Sequence, residues 1–535
     1  MIRQLVKKAM RVFWLLPGFA LWASFPPMGE MTDCLFALAP LMWLARNAET
    51  RVAVRRWFLN GFVFWFATLS WMPAIVKNGG PWPLVVLGWG ALAAYCAAYF
   101  AAFGYLSSKA WAVVKGRGYA WRLAAIVIVE PVLWAGLEIV RSRLLGGFAW
   151  NQLGVVPAVG GFGAPAALGG VYLLSMVVVL INGTVASIAE RVLAPERRHW
   201  TRSVETLLPF AIIWGVYSLA KAMDSCRMET EGYEQSMPVA MIQRNFPCVF
   251  KESDENPMDI YERLLGNVAP LQPSLVVLPE SAYCEAGWFG SRAAMEFSRW
   301  VCGQTGAKAV LGGGTRFEDG KEFNSAALYN MSEDSCLVYD KVHLVPFGEY
   351  IPGDKWLTSL QKLAPVGSCT AGELKTLDFN GVKLGVAICF EDTDSAQIRR
   401  LARMGAQILV FITNDSWFSY SDEALQHAWQ AVARSVETGL PVVRVGNSGV
   451  TGTIIPWGGA TWLIGEDGKP LVDKHGSMLD RVPYYPHSRI WTPYVLLGDV
   501  PILAAFAALL LGLFIPSAGG WLSRLRGRLC AGKDS

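Results

Sequence analysis

A cysteine does chemistry where its thiolate can be reached and stabilised, and Cys389 has that setting. It ends the strand-like run Leu384–Ile388 and precedes Phe390, Glu391, Asp392 and a helical pattern from about Asp394. At a strand-to-helix turn, the following backbone N–H groups can lower a thiol pKa and bind an oxyanion. Alone, the same pattern also fits a buried structural cysteine. Glu280 ends a second apolar run, Leu275 to Pro279. The carboxyl ends of buried strands are where active sites of α/β sheets gather, although a strand-end charge facing solvent fits too. Lys341 opens the mostly apolar stretch 341–350, where an ammonium needs a carboxylate partner or an exposed loop. His343 and His427 read as packing or locally bonded side chains, not as catalytic bases. Gly312–Gly314 reads as a strand-end turn, since no P-loop spacing or lysine follows it. The five histidines are scattered and no CxxC or HxxxH spacing occurs, so no metal or cofactor is expected.

These residues need a scaffold. Short β-rich runs recur at Val239–Ile242, Leu275–Leu278, Ala309–Leu311, Ala326–Tyr329, Leu384–Ile388, Ile408–Thr413, Val442–Val445 and Thr451–Ile455. Several are continuously apolar, as in strands buried on both faces. Helical patterns at 257–267, 291–304, 395–404 and 423–438 lie between some of them, which predicts sheets covered by helices. Residues 223–493 therefore read as an α/β domain. Its seven cysteines, at 226, 248, 284, 302, 336, 369 and 389, are irregularly spaced, and their odd number leaves a thiol unpaired.

The rest of the chain reads differently. Of the 535 residues, 53% are hydrophobic and only 17% charged, against about a quarter charged in ordinary soluble domains. Apolar runs at 12–27, 33–45, 57–76, 82–106, 123–140, 168–190, 204–222 and 494–515 predict membrane spans. Basic residues crowd alternate loops: Lys7, Lys8 and Arg11; Arg51, Arg55 and Arg56; Lys109, Lys115 and Arg117; Arg197 and Arg198; Arg524, Arg526 and Arg528. The opposite loops hold chiefly Lys77, Arg141 and Arg143. The positive-inside rule then puts both termini in the cytoplasm and the α/β domain on the far side. The expected division is 1–222 membrane domain, 223–493 catalytic domain, 494–535 final span and basic tail. The net charge of +4 is small, and no basic run lies beside exposed aromatics, so nucleic acid is not an expected partner.

Taken in order, Glu280, Lys341 and Cys389 resemble the Glu-Lys-Cys triad of the nitrilase, or carbon–nitrogen hydrolase, superfamily. The resemblance is carried by Leu-Pro-Glu at 278–280, Asp-Lys-Val-His-Leu-Val-Pro-Phe-Gly-Glu-Tyr at 340–350, Ile-Cys-Phe-Glu at 388–391 and Thr-Asn-Asp-Ser-Trp-Phe at 413–418. Such a domain set between membrane spans is similar to the superfamily's membrane-embedded branch, the apolipoprotein N-acyltransferase family. The resemblance implies a multi-span α-helical membrane domain plus an αββα sandwich. It makes Glu280 the general base, Lys341 the oxyanion stabiliser and Cys389 the nucleophile, supported by Glu349 and Glu391. It implies a phospholipid acyl donor, a diacylglyceryl-apolipoprotein acceptor, and a place in the bacterial inner membrane with the catalytic domain on the periplasmic side. Phe-Ala-Trp-Asn-Gln-Leu-Gly at 148–154 resembles a periplasmic loop motif of that branch. Two positions depart from the pattern. Arg244 stands where the family has glycine, which puts the local loop geometry in question, and Phe390 stands where many relatives have tyrosine.

Trp288 and Phe289, and Trp356 with Leu357, follow triad residues closely and are expected to rim the site as lipid-access lids. The residues alone leave two other readings open: a membrane-tethered amidase with water as acceptor, and a non-catalytic lipoprotein-binding scaffold. The orientation is checked by alkaline phosphatase fusions. A fusion after Gly232 should be active and a fusion at Ser535 inactive; the reverse pattern would invert the topology.

Overall fold

Alternation of side chains across a strand decides the architecture. Val239 and Met241 of β1 (Gln235–Gln243) face one core, while Ala240 and Ile242 face another. A strand buried on both faces reads as an unbroken apolar run. The computed structural model describes residues 14–46, 48–193, 201–231, 235–247, 256–283, 292–333, 335–351, 367–456, 459–485 and 491–531. Within them are β2 (Leu275–Val277), β3 (Ala309–Glu318), β4 (Lys321–Asn330), β5 (Ser335–Asp340), β6 (Leu377–Phe379), β7 (Val382–Ile388), β8 (Ile408–Thr413), β9 (Val442–Gly446), β10 (Gly452–Ile454), β11 (Ala460–Trp462) and β12 (Gly476–Tyr484). They form two six-stranded sheets, ordered β12-β1-β2-β3-β4-β5 and β11-β10-β9-β8-β7-β6. β1, β2 and β3 run parallel, as do β7, β8 and β9; the outer strands are antiparallel.

Between the sheets, Val239, Met241, Val277, Leu311 and Leu328 meet Leu384, Val386, Ile388, Val410, Ile412 and Val445. Each such side chain contributes about 1.5–3 kcal/mol of burial. Helices Pro257–Val268 and Arg292–Thr305 cover the first sheet, and Ser395–Arg403 and Glu423–Thr438 the second. The result is the expected αββα sandwich. The expected helices agree with it to within a residue. Strands β5, β6, β11 and β12 went unread in the sequence.

Among the described residues, five helices are long and apolar enough to cross a membrane: Thr50–Asn78, Trp82–Val114, Tyr119–Arg141, Ala166–Val192 and Thr206–Met223. Val500–Ile515 is a shorter apolar stretch. In the two N-terminal runs, the described residues form short helices, Leu16–Ala23, Met31–Cys34 and Ala39–Arg46. Eight helical residues reach only about 12 Å, and Pro26, Pro27 and Pro40 punctuate the runs. Broken helix in an apolar setting leaves backbone groups to satisfy. Asn182 does so: its Oδ1 accepts from Leu38 N and Ala39 N at 2.9 Å each, and its Nδ2 donates to the Cys34 carbonyl at 2.8 Å. Helix Thr201–Glu231 leaves Leu207, Phe210 and Trp214 exposed, a surface suited to lipid.

Glu423–Thr438 joins the two halves. Ala431 and Val432 pack on Leu409, Phe411 and Val442 of the sheet. Ala433 and Val436 pack on Ala135, Ile139, Val155 and Leu174 of the helical half. That half is itself closed by reciprocal seats. Trp57 lies over Gly104 and Phe100 over Gly61, where an added Cβ would come within 2.5 Å and 2.6 Å of the rings. Overpacking of this kind costs about 1–3 kcal/mol. Gly104→Val should therefore lower the thermal unfolding temperature of the protein in detergent, whereas Gly90→Val, at a glycine with open space around it, should not.

Candidate active site

The site is built where parallel strands end. β2 runs out into Leu278, Pro279 and Glu280; β7 into Cys389; β8 into Asn414 and Asp415. The segments that carry Glu280, Lys341 and Cys389 each hold a residue in the left-handed region: Ser281 with φ 59°, Phe347 with φ 62° and Cys389 itself with φ 53°. For such residues this conformation costs about 1–3 kcal/mol, so the surroundings must enforce it. At Cys389 the chain turns at once into a short 3-10 segment, Cys389–Thr393, which lifts the thiol off the end of the sheet.

Lys341 follows β5 and is 1% exposed. Its Nζ donates to Glu349 Oε1 at 2.9 Å. Asn324 of β4 donates to both Glu349 Oε1 and Glu280 Oε1 at 2.7 Å, bridging the two carboxylates around the ammonium. Burial alone would lower the Lys341 pKa, but Glu349, Cys389 and Glu280 together hold it well above the ordinary value. Burial raises the Glu280 pKa, against the pull of the Lys341 ammonium. Glu349 is lowered: Lys341 and the Asn324 amide outweigh its burial. The Cys389 thiol is pushed well above its ordinary value by burial and then by Glu280, with Lys341 opposing. The resting group is therefore a thiol beside a carboxyl that can take its proton and an ammonium that keeps its own.

Glu391 fastens the Lys341 and Cys389 segments together. It is fully buried. It accepts from the Tyr339 hydroxyl at 2.9 Å, from Val342 N at 2.7 Å and His343 N at 3.0 Å, and from Ile388 N at 2.8 Å. Gly313 lies against Glu280: a Cβ there would come 2.7 Å from the Glu280 Cα, so close approach of β3 requires the glycine.

Arg244 resolves differently from the expectation. It is not in the left-handed region; Asn245 is, with φ 49°. The side chain turns inward instead. Its Nη1 donates to the Ala282 carbonyl at 3.4 Å, its Nη2 to the Ser281 carbonyl, and its Nε to Asn447 Oδ1 at 3.1 Å. Arginine here braces the turn that follows Glu280. Phe390 stacks on Phe148 at 6.2 Å and on Trp150 at 6.4 Å between ring centroids. The 148–154 motif is thus where the helical half meets the turn carrying the thiol. Trp288, Phe289, Trp356 and Leu357 lie outside the described residues.

Asn324, Tyr339, Asp415 and Arg444 were not singled out in the sequence. Asp415 stood inside the quoted Thr-Asn-Asp motif; the others sit in strands without a local signal. Ligand-capable atoms of Asp415, Glu423 and His427 lie within 4.8 Å of one another. The Arg444 guanidinium and the His427 ring already pair with the Asp415 carboxylate.

Residues 239–478 match the carbon-nitrogen hydrolase family, the class this two-sheet fold and strand-end site define. Residues 17–184 match the apolipoprotein N-acyltransferase N-terminal domain. An apolipoprotein N-acyltransferase of Geobacter metallireducens is 32% identical over 461 residues, covering 82% of this chain and 84% of that protein. One of Pasteurella multocida is 24% identical over 520 residues, covering 91% and 92%. An amidase of Nesterenkonia sp. AN1 aligns in structure with a TM-score of 0.35 and 17% identity, over 46% of this chain and 90% of that one. The chain belongs to the apolipoprotein N-acyltransferase family.

Bonds to a buried carboxylate are charge-assisted and contribute about 1.5–3 kcal/mol each. Glu391→Gln should speed amide exchange at Val342, His343 and Ile388 and lower thermal stability. Unchanged protection at all three amides would mean Glu391 does not hold the segments together.

Proposed function

We propose that the protein N-acylates lipoproteins, carrying the acyl group from a phospholipid to the α-amine of an N-terminal diacylglyceryl-cysteine through a thioester on Cys389. The observation that carries this reading is the thiol at the carboxyl end of β7, beside buried Glu280 and Lys341, in a turn whose next residue, Phe390, stacks on Phe148 and Trp150 of an apolar helical half. The names of the relatives support the acceptor and the transfer.

In the proposed path the Cys389 proton passes to Glu280 as sulfur attacks an ester carbonyl of the phospholipid. Lys341 holds the oxyanion, with Glu349 and Asn324 fixing the ammonium. The C–O ester bond breaks, and the lysophospholipid leaves with the proton from Glu280. The lipoprotein amine then attacks the thioester, gives its proton to Glu280, and the C–S bond breaks; the thiolate recovers its proton. The apolar helices would deliver the acyl chains, and the basic loops support an inner-membrane protein with the sandwich on the periplasmic side.

The test follows transfer of radiolabelled acyl chains from phospholipid to a diacylglyceryl-cysteine peptide. Cys389→Ser should abolish it while insertion persists. Lys341→Ala and Glu280→Gln should each cost at least ~10²-fold. Because the folded Glu280 pKa is raised, wild-type activity should fall as pH drops through that elevated value and be retained above it. Glu280→Gln should lose this acid limb and regain some activity at alkaline pH, where hydroxide can take the thiol proton. Near-normal transfer in either variant would remove that residue from the reaction; label released to water instead of the amine would favour an amidase.

A further inference from the structure

The helix that joins the two halves carries polar side chains along most of its length, yet it is buried almost throughout. Its Gln426 Oε1 receives the Trp150 indole N–H at 2.9 Å and the Asn151 amide at 3.1 Å. The next residue is His427, which the proposed chemistry does not use. His427 is 1% exposed. Its Nε2 lies 2.9 Å from Asp392 Oδ1, in the turn that begins with Cys389. Its Nδ1 lies 3.0 Å from Asp415 Oδ1, in the turn after β8, and 3.5 Å from Glu423 Oε1 on its own helix. From β9, Arg444 donates to the outer oxygens of the same aspartates: Nη1 to Asp392 Oδ2 at 2.8 Å and Nη2 to Asp415 Oδ2 at 3.3 Å. The Trp150 ring lies 5.4 Å from the imidazole.

We infer that His427 is a positioning residue for the nucleophile: clamped between Asp392 and Asp415 and roofed by Trp150, it fixes the turn that presents Cys389 and balances the charge beside the thiol. The inference rests on Cys389 being the nucleophile. A buried ring lying 2.9 Å from Asp392 and 3.0 Å from Asp415 sits between two carboxylates, which favour the imidazolium. Burial and Arg444 work against that charge, but Asp392 and Asp415 hold the His427 pKa at about 10. Burial, with the Asp415 and Asp392 carboxylates nearby, raises the Glu423 pKa well above the usual range. His427 and Arg444 thus each face the same two aspartates, Asp392 and Asp415. The balance matters because Asp415 is felt at the reaction: its charge raises the proton affinity of both Cys389 and Glu280. With the ring neutralised, one aspartate charge near the thiol is left uncompensated. His427 also shares Asp392 with the strained turn and Trp150 with the helical half, so it is the contact through which docking of the halves reaches the thiol.

The experiment uses the full-length protein in detergent. The rate of Cys389 alkylation by iodoacetamide is followed against pH by mass spectrometry of the Cys389 peptide. An uncompensated unit charge should move the His427→Gln midpoint up by about one pH unit. Acyl transfer should lose about tenfold in kcat, with KM for phospholipid within about twofold, the pattern of lost transition-state stabilisation. Adding Asp415→Asn restores the charge balance and should bring the midpoint back to within about 0.3 unit of wild type. A His427→Gln midpoint equal to wild type, or a double variant that stays displaced, overturns the inference. If the single variant does not fold, the charge-balanced double variant carries the test: a wild-type midpoint supports the inference and a displaced one overturns it. A wild-type Cys389 no more reactive than Cys369 at any pH would instead overturn the nucleophile reading, and this inference with it.

Discussion

An ammonium taken out of water must be surrounded by compensating charge, or it gives up its proton. Lys341, 1% exposed, is the point on which the site turns. Glu349 neutralises it at 2.9 Å, and Asn324 ties Glu349 to Glu280. Because Glu349 spends its charge on Lys341, Glu280 remains free to take a proton. The requirement reaches back into the fold: β4 must pair between β3 and β5 so that Asn324 and Lys341 arrive at one sheet end. Gly313 must be small so that Glu280 can pack against β3.

A second constraint is mechanical. Cys389 and Ser281 sit in a backbone region that non-glycine residues avoid, and each is held there by buried bonds. Glu391 grips the N–H groups on both sides of the gap between Lys341 and Cys389. Arg244 grips the carbonyls after Glu280. On the far side, Phe390 and His427 meet Phe148 and Trp150, so the turn that carries the thiol is also a docking surface for the apolar helices.

The readable parts of the sequence were those with a local physical signature. Ile408–Thr413 was legible as a strand because burial on both faces makes an unbroken apolar run, and 423–438 as a helix from its periodicity. The strand-end positions of Glu280 and Cys389 followed from the same runs. Edge strands β6 and β11 were silent because each is only three residues long, with Asp378 exposed in β6 and Ala460 and Thr461 exposed in β11. Asn324 was silent because a polar residue in a strand has no signal until its cross-sheet partners are known. The near-complete burial of Glu423–Thr438 had no local signal; the helical half packed against it explains it. The break within the second N-terminal run, 33–45, was silent because hydropathy does not register a turn whose backbone groups a distant asparagine, Asn182, satisfies.

The central claim is that the Cys389 sulfur carries the acyl group. Incubating the purified protein with a phospholipid and no amine acceptor, then analysing its peptides by mass spectrometry, tests it most directly. The account predicts one fatty-acyl adduct on Cys389, released by neutral hydroxylamine and lost when the acceptor peptide is added. An adduct on a different residue, or acyl transfer that proceeds with Cys389 unmodified throughout, would contradict it.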